Sequence, residues 1–571
     1  MTAIDTFADD LLLRMLTLRP DLAAEMGVTT VGNHRLPQDM LPDFSDAGGA
    51  AADAMMADAS ERLKQIARPS SGEDAITHRV VRYVLEDGAF SFFRGRSGHR
   101  FVDTPYPVNH LSGFHPILVL MLSRDHGIRT PDDAEAYLAR LAQIPRACAG
   151  VEDALESRAA RGIVAPRFTL LASAADMRSF AVDPPAQNVL VTSLAAKLHD
   201  ARIPNSETFV ARAARLLELE IVPAYTRIVA LIEELAAGAG EERGFWSLPD
   251  GAAHYEWLFR ASTTSNLSPD EANGIGRAEV AHVQATIRDR FAALGIHGED
   301  IAALYAQISD APSYRYARGG TGRAAVWSDA NTLMRRFESA TLDLFNTRPR
   351  AALDLVEIPA TLEDTMHTHY TPPAADGSRP GRFSLNIALA QGNPRWELAT
   401  LCAHEGTPGH HLQLAIAQEL PIASVFRRTV VFDAYIEGWA KYAETIPETH
   451  GLLDDPHAQL GRLRGELYST VNLVLDTGVH TMGWSRDQAR TFFRDNTGVS
   501  EDFAGVIADR SFVTPGQLCS YKVGMMKFLA AHDRFRGRDV RDFHDCVLGH
   551  GALPLSVLDD VVTATLSGSL S

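Results

Sequence analysis

Residues 206–237 read SETFVARAARLLELEIVPAYTRIVALIEELAA, and their spacing decides the fold class. Phe209, Ala213, Leu216 and Leu217, then Ile228, Leu231, Ile232 and Leu235, recur at three- to four-residue steps, the period of a helix with one buried face. Pro223 lies inside the run; it has no backbone N–H to donate and predicts an interruption there. The same period marks Phe7, Leu11, Met15 and Leu18, in a helix that Pro20 helps to end. Ser268-Pro269-Asp270-Glu271 is a helix start: serine as N-cap, proline in the first turn, and glutamate closing a capping box. Strand signals are few. Residues 382–387 alternate after the turn Asp376-Gly377-Ser378-Arg379-Pro380-Gly381, and 352–358 form a second candidate. The reading is a mainly α protein with a small sheet.

The chain has 571 residues, 46% of them apolar, enough for a large core without disulfide or metal staples. Its 72 acidic against 54 basic side chains give a net charge of −18, which argues against nucleic acid or an anionic membrane as partner. Cys148, Cys402, Cys519 and Cys546 are far apart, which excludes a thiolate zinc finger. The first residues, MTAIDTFADDLLLRML, are acidic where a secretory signal is basic, and no run of about 18 apolar residues could span a bilayer. The expected compartment is the cytoplasm. The loop-like stretch Gly238 to Gly244 suggests an N-terminal helical lobe, 1–240, and a C-terminal lobe, 241–571, that carries the chemistry.

That chemistry centres on residues 401–413, LCAHEGTPGHHLQ. A His-Glu pair followed closely by another His is the core of a zinc hydrolase site: the histidines bind the ion, and the glutamate acts as base on metal-activated water. The usual spacing sets the histidines four apart on one helical face. Here His410 follows His404 by six residues, about 240° around an ideal helix, and His411 by seven, about 10 Å along the axis. Neither reaches a shared ion, whose nitrogens lie about 2 Å from it, unless the helix breaks. Pro408-Gly409 supplies the break, since proline cannot continue the ladder and glycine accepts unusual dihedrals. His410 is the preferred second ligand and His411 the alternative. Glu437, flanked by Ile436, Gly438 and Trp439, is the candidate third ligand, because a carboxylate in apolar surroundings needs a partner. Its plain alternative is a buried salt bridge to Lys441. Glu444 could hydrogen-bond a ligand histidine.

The strings HEGTPGHHLQ (404–413), EGWAKYAE (437–444), LDTGVHTMGW (475–484) and PGQLCSYKVG (515–524), with DGSRPGRFSLN (376–386) and LRPDLAAEMGV (18–28), resemble the bacterial family known as domain of unknown function 885 across nearly the whole chain. The resemblance implies a zinc-dependent peptidase with a glutamate ligand. Its architecture would be similar to the helical thimet-oligopeptidase and carboxypeptidase Taq class, with a deep cleft between lobes. His404, His410 and Glu437 would then bind one Zn2+, and Glu405 would be the general base. Members resemble exported lipoproteins, a pattern the N-terminal residues here do not show. They also carry an aromatic pair where this chain has His367 and His369, ahead of Tyr370 and Pro372-Pro373.

Supporting groups follow from the reaction. Tyr521 and His480 are candidate donors to a developing oxyanion, with Asp476 one turn before His480. Lys522 would pair with a substrate or site carboxylate. Asn386 would bind a peptide carbonyl on a strand edge, and His369, Tyr370 and His411 would line the substrate pocket. The expected function is hydrolysis of a peptide or small amide substrate. A non-peptide metallohydrolase and an inactive metal-containing binding protein are the alternatives.

Overall fold

A computed structural model describes residues 1–86, 105–111, 113–240, 244–309, 311–358, 360, 363, 368–374, 377 and 379–568. The architecture is mainly α. Phe7, Leu11 and Met15 are buried on the first helix, Ala3–Leu18, and Pro20 both ends it and opens the next, Pro20–Glu25. Ser268 Oγ accepts from the Glu271 N–H at 3.2 Å, and the Glu271 carboxylate accepts from the Ser268 N–H at 2.9 Å, completing the capping box of helix Pro269–Ala293. The interruption expected at Pro223 is a π turn, Leu217–Ile221, between Ser206–Leu216 and Val222–Gly238. The widened turn relieves the helix of the hydrogen bond that proline cannot donate.

One hydrophobic cluster runs from Ile4 to Val562 and includes Phe426, Ile436 and Trp439, so residues on both sides of position 240 share a core. The first helix is tied to this later half by Asp9, which accepts from Ser424 Oγ at 2.7 Å and from the Phe426 N–H at 3.0 Å. Positions 241–243 of the expected boundary lie outside the described residues.

Two helix pairs set the frame of the later half. Pro269–Ala293 lies along Pro456–Thr481, where Gly276 lets Val474 approach and Asn273 Nδ2 donates to Thr477 Oγ1 at 2.8 Å. Asp433–Ala443 crosses Gln517–Arg534 at Gly438 and Gly524. A Cβ built on Gly438 would lie 2.5 Å from the Gly524 Cα, and one on Gly524 2.0 Å from the Ala434 carbonyl oxygen. The two backbones touch, and a side chain on either glycine would force the helices apart.

Strands β1 (Thr30–Val31) and β2 (His34–Arg35) form a minimal hairpin. A second sheet contains β3 (Leu353–Glu357), β4 (His369–Thr371) and β5 (Gly381–Leu385) in the order β3-β5-β4, with β3 parallel and β4 antiparallel to β5. Both expected strands are present. Phe383 and Leu385 of β5 pack with Leu398, Ala399, Cys402 and Ala403, which sets this sheet against the helix that carries His404.

Candidate metal centre

Helix Leu398–Glu405 stops at Gly406, and a new helix, His410–Glu419, begins after Gly409. The returning chain lies against the end of the first helix: a Cβ on Gly409 would sit 1.9 Å from the His404 carbonyl oxygen and 2.3 Å from that of Ala403. The Trp439 indole N–H donates to the Pro408 carbonyl at 3.0 Å, fastening the loop to the helix that carries Glu437. The break therefore does what the spacing required. The His404 and His410 rings face each other nearly perpendicularly, with centroids 4.6 Å apart.

His404 Nε2 and His410 Nε2 each lie 3.5 Å from Glu437 Oε2, and one ligand-type atom from each of the three residues falls within a 4.8 Å group. Tetrahedral ligands at zinc distances are about 3.3 Å apart, so the spacing suits such an ion. Glu437 Oε2 is buried and accepts no hydrogen bond. His404 Nδ1 lies 2.9 Å from Glu444 Oε1, whose other oxygen accepts from Lys441 Nζ at 2.5 Å. Lys441 thus pairs with Glu444 rather than Glu437. The Glu444 contact fixes the ring so that Nε2 points to Glu437. Burial disfavours an imidazolium at His404, but Glu437, Glu444 and Glu405 overcome it and hold its pKa up to about 10. Burial likewise opposes ionisation of Glu437, and the two histidines hold its pKa well below the usual carboxylate range. The triangle is a place where positive charge is strongly favoured, and its donor set fits a divalent cation.

His411 does not enter this group. Its Nδ1 lies 3.0 Å from Tyr370 Oη, and burial pushes its pKa down to about 4, against a hydrogen bond to the Ala351 backbone. Tyr370, on β4, also stacks on the His410 ring at 6.4 Å. Glu405 is 6% exposed, and among the described residues its carboxylate has no hydrogen-bond or ion-pair partner. Tyr521 is partly buried. Burial and the Glu437 charge push its pKa up to about 12, and Arg510 Nη2 donates to its oxygen at 3.4 Å.

Three expected site residues are committed elsewhere. His480 is fully buried: its Nδ1 accepts from the Phe245 N–H at 3.2 Å and its Nε2 meets the Ser511 carbonyl at 2.9 Å, leaving no donor for a substrate. Its expected partner Asp476 instead accepts from Tyr255 Oη at 2.6 Å and the Gly516 N–H at 2.9 Å. Lys522 is buried between Glu279 and Glu466, both at 3.0 Å, so its charge is already matched by two protein carboxylates. Asn386 caps helix Ile387–Gly392 by accepting from the Leu389 N–H at 2.9 Å, and its Nδ2 donates to the Glu363 carbonyl at 2.7 Å. Its strand cannot receive a substrate either, since β5 is paired on both sides. His369 is half-buried on β4, opposite Ser384; His367 lies outside the described residues. Arg510, at the end of helix Glu501–Val513, stands outside the strings that carry the family resemblance.

Residues 20–562 match the family described as "Bacterial protein of unknown function (DUF885)". No curated protein matches the chain. Among solved structures, the "putative lipoprotein from Colwellia psychrerythraea" is 25% identical with a TM-score of 0.93, over 99% of each chain. The "putative lipoprotein of unknown function from Shewanella oneidensis" is 17% identical with a TM-score of 0.72, over 99% of this chain and 100% of its own. Among the described residues, no helix is long and apolar enough to cross a membrane.

Proposed function

The chain belongs to the DUF885 family, and from that premise we propose that it is a zinc-dependent hydrolase of peptide or peptide-like amide bonds. The observation that carries the reading is the convergence of His404 Nε2 and His410 Nε2 on a buried Glu437 oxygen that has no hydrogen bond of its own. Bound zinc would polarise the scissile carbonyl and make water nucleophilic at neutral pH. Glu444, braced by Lys441, holds the His404 ring in register for that ion. Glu405, adjacent in sequence and without a protein partner among the described residues, takes the proton of the attacking water and returns it to the departing nitrogen. Tyr521 keeps its proton at neutral pH and donates it in a hydrogen bond to the carbonyl oxygen as charge develops there.

The test is Glu405→Gln. Metal content measured by elemental analysis should stay at one zinc per chain, while hydrolysis of a peptide pool falls by at least about a hundredfold. Undiminished turnover in this variant would remove Glu405 from the reaction. A wild-type protein that takes up no zinc from excess would remove the reaction itself.

A further inference from the structure

Arg510 sits beside this site with its charge unmatched. Its Nη2 donates to Gln517 Oε1 at 2.6 Å and to Tyr521 Oη at 3.4 Å, and both partners are neutral. Among the described residues no carboxylate comes within ion-pair distance of the guanidinium. Other arginines of this region are matched directly: Arg462 Nη1 to Glu466 at 3.0 Å and Arg464 Nη1 to Glu397 at 3.0 Å. The side chain is partly withdrawn from solvent, where an unpaired cation is costly. Tyr521, which it touches, lies one turn before Gly524, and the Gly524 backbone abuts Gly438, the residue next to Glu437, so the guanidinium lies on the helix pair that carries the third candidate ligand.

The arrangement is that of a prepared anion seat. Gln517 and Tyr521, one turn apart on helix Gln517–Arg534, hold one nitrogen of the guanidinium, and the remaining N–H groups have no protein partner among the described residues. An arginine fork of this kind matches a carboxylate with two parallel hydrogen bonds. Tyr521 belongs to both settings: it touches Arg510, and it stands on the helix whose Gly524 backbone meets Gly438 beside Glu437. A carboxylate held at Arg510 therefore belongs to the molecule whose amide is presented to the Glu437 side.

We propose that Arg510 is a specificity-determining residue that anchors a free carboxylate of the substrate, so that the site selects amides bearing a carboxylate close to the scissile bond. This rests on the hydrolase reading above. The carboxylate could be a peptide C-terminus or that of an N-acylated amino acid; the chemistry at Arg510 is the same.

The experiment measures binding rather than turnover, in zinc-loaded protein carrying Glu405→Gln. Calorimetric titration compares N-acetyl-Ala-Ala-Ala with its C-terminal amide. The free acid should bind at least about tenfold more tightly, as a charge-assisted hydrogen-bonded pair requires. Adding Arg510→Gln should erase that ratio by weakening the acid far more than the amide, and Arg510→Lys should restore part of it. Equal binding of acid and amide, no binding of either, or a ratio that survives Arg510→Gln would overturn the proposal. A loss shared equally by acid and amide would do the same, because it marks a structural role. Shortening the probe to N-acetyl-Ala-Ala and N-acetyl-Ala separates the sources. Affinity that grows with length identifies a peptide terminus, and affinity independent of length an acylated amino acid. If the acid preference holds while the unmutated enzyme hydrolyses nothing, only the hydrolase reading falls.

Discussion

Replacing Gly438 with alanine should damage both stability and metal affinity, and for one geometric reason. The new Cβ would start 2.5 Å from the Gly524 backbone, whereas ordinary contact begins at 3.4 Å. The obstruction is main chain, so no side-chain rotation can clear it, and the helices Asp433–Ala443 and Gln517–Arg534 must part by about 1 Å. Overpacking of this kind costs about 1–3 kcal/mol. Glu437 immediately precedes the substituted position and is carried with its helix, while His404 and His410 stay on a different segment. A metal site tolerates ligand displacements of about 0.2 Å, so a shift several times larger should weaken zinc binding by about 10- to 100-fold. Urea unfolding of the chelator-treated protein isolates the packing cost, and competition against a zinc-binding dye isolates the affinity. Wild-type values in both would refute the claim that this glycine crossing sets the position of the third ligand. A stability loss with unchanged affinity would refute the link between the crossing and the metal alone.

Two glycines of helix Pro269–Ala293 should respond in opposite senses: Gly274→Ala meets open space and should stabilise by about 0.5–1 kcal/mol, while Gly276→Ala places a Cβ 2.8 Å from Val474 Cγ2 and should destabilise, both read by urea midpoints. His410→Ala should abolish stoichiometric zinc uptake, whereas His411→Ala should retain it, because His411 Nδ1 faces Tyr370; elemental analysis of the two proteins distinguishes them. His544 gives a pH prediction away from the site. Burial, with smaller contributions from His532 and His450, pushes its pKa down to about 4 against the Leu344 carbonyl. The unfolded chain therefore takes up this proton first as pH falls from about 6.5. The stability is fully present above that pH and drains towards pH 4, with about 2 kcal/mol lost by pH 5. His544→Gln should shrink the difference between urea midpoints at pH 7 and pH 5; an unchanged difference would show that this histidine does not titrate on unfolding.

What the sequence disclosed and what it concealed divide by the range of the interaction. The capping box at Ser268, the π turn before Pro223 and the helix break at Pro408-Gly409 all depend on residues a few positions apart, so the relevant chemistry is contiguous in the chain. The demand of Glu437 for a partner is likewise local, because its immediate neighbours are apolar, although the histidines that meet it come from another segment. His480 shows the opposite. Its spacing from Asp476 correctly suggested a shared helical face, but Asp476 is engaged by Tyr255 and Gly516, and His480 by Phe245 and Ser511, none of which the spacing could name. Lys522 was ambiguous in the same way, since Glu279 and Glu466 come from distant helices. For Asn386, an asparagine ending a strand and one capping the next helix have the same local sequence, and only the pairing with the short β4 makes β5 central.

The crossing at Gly438 and Gly524 lies between these extremes. Each glycine stood inside a string that pointed to the family, EGWAKYAE and PGQLCSYKVG, yet neither string alone says that a glycine is needed. The need appears only when the two are set face to face, where a Cβ on either would strike the other's backbone. The consequence reaches past packing. Glu437 precedes one glycine, and Tyr521 lies about one turn before the other, so the same contact that brings the backbones together brings Glu437 and the Tyr521 phenol to one helix crossing, with Arg510 held against that phenol. A helix pair able to slide would uncouple these three groups. One locked by backbone contact cannot, and on the hydrolase reading proposed above this is how Glu437, Tyr521 and Arg510 would act together although they come from three helices.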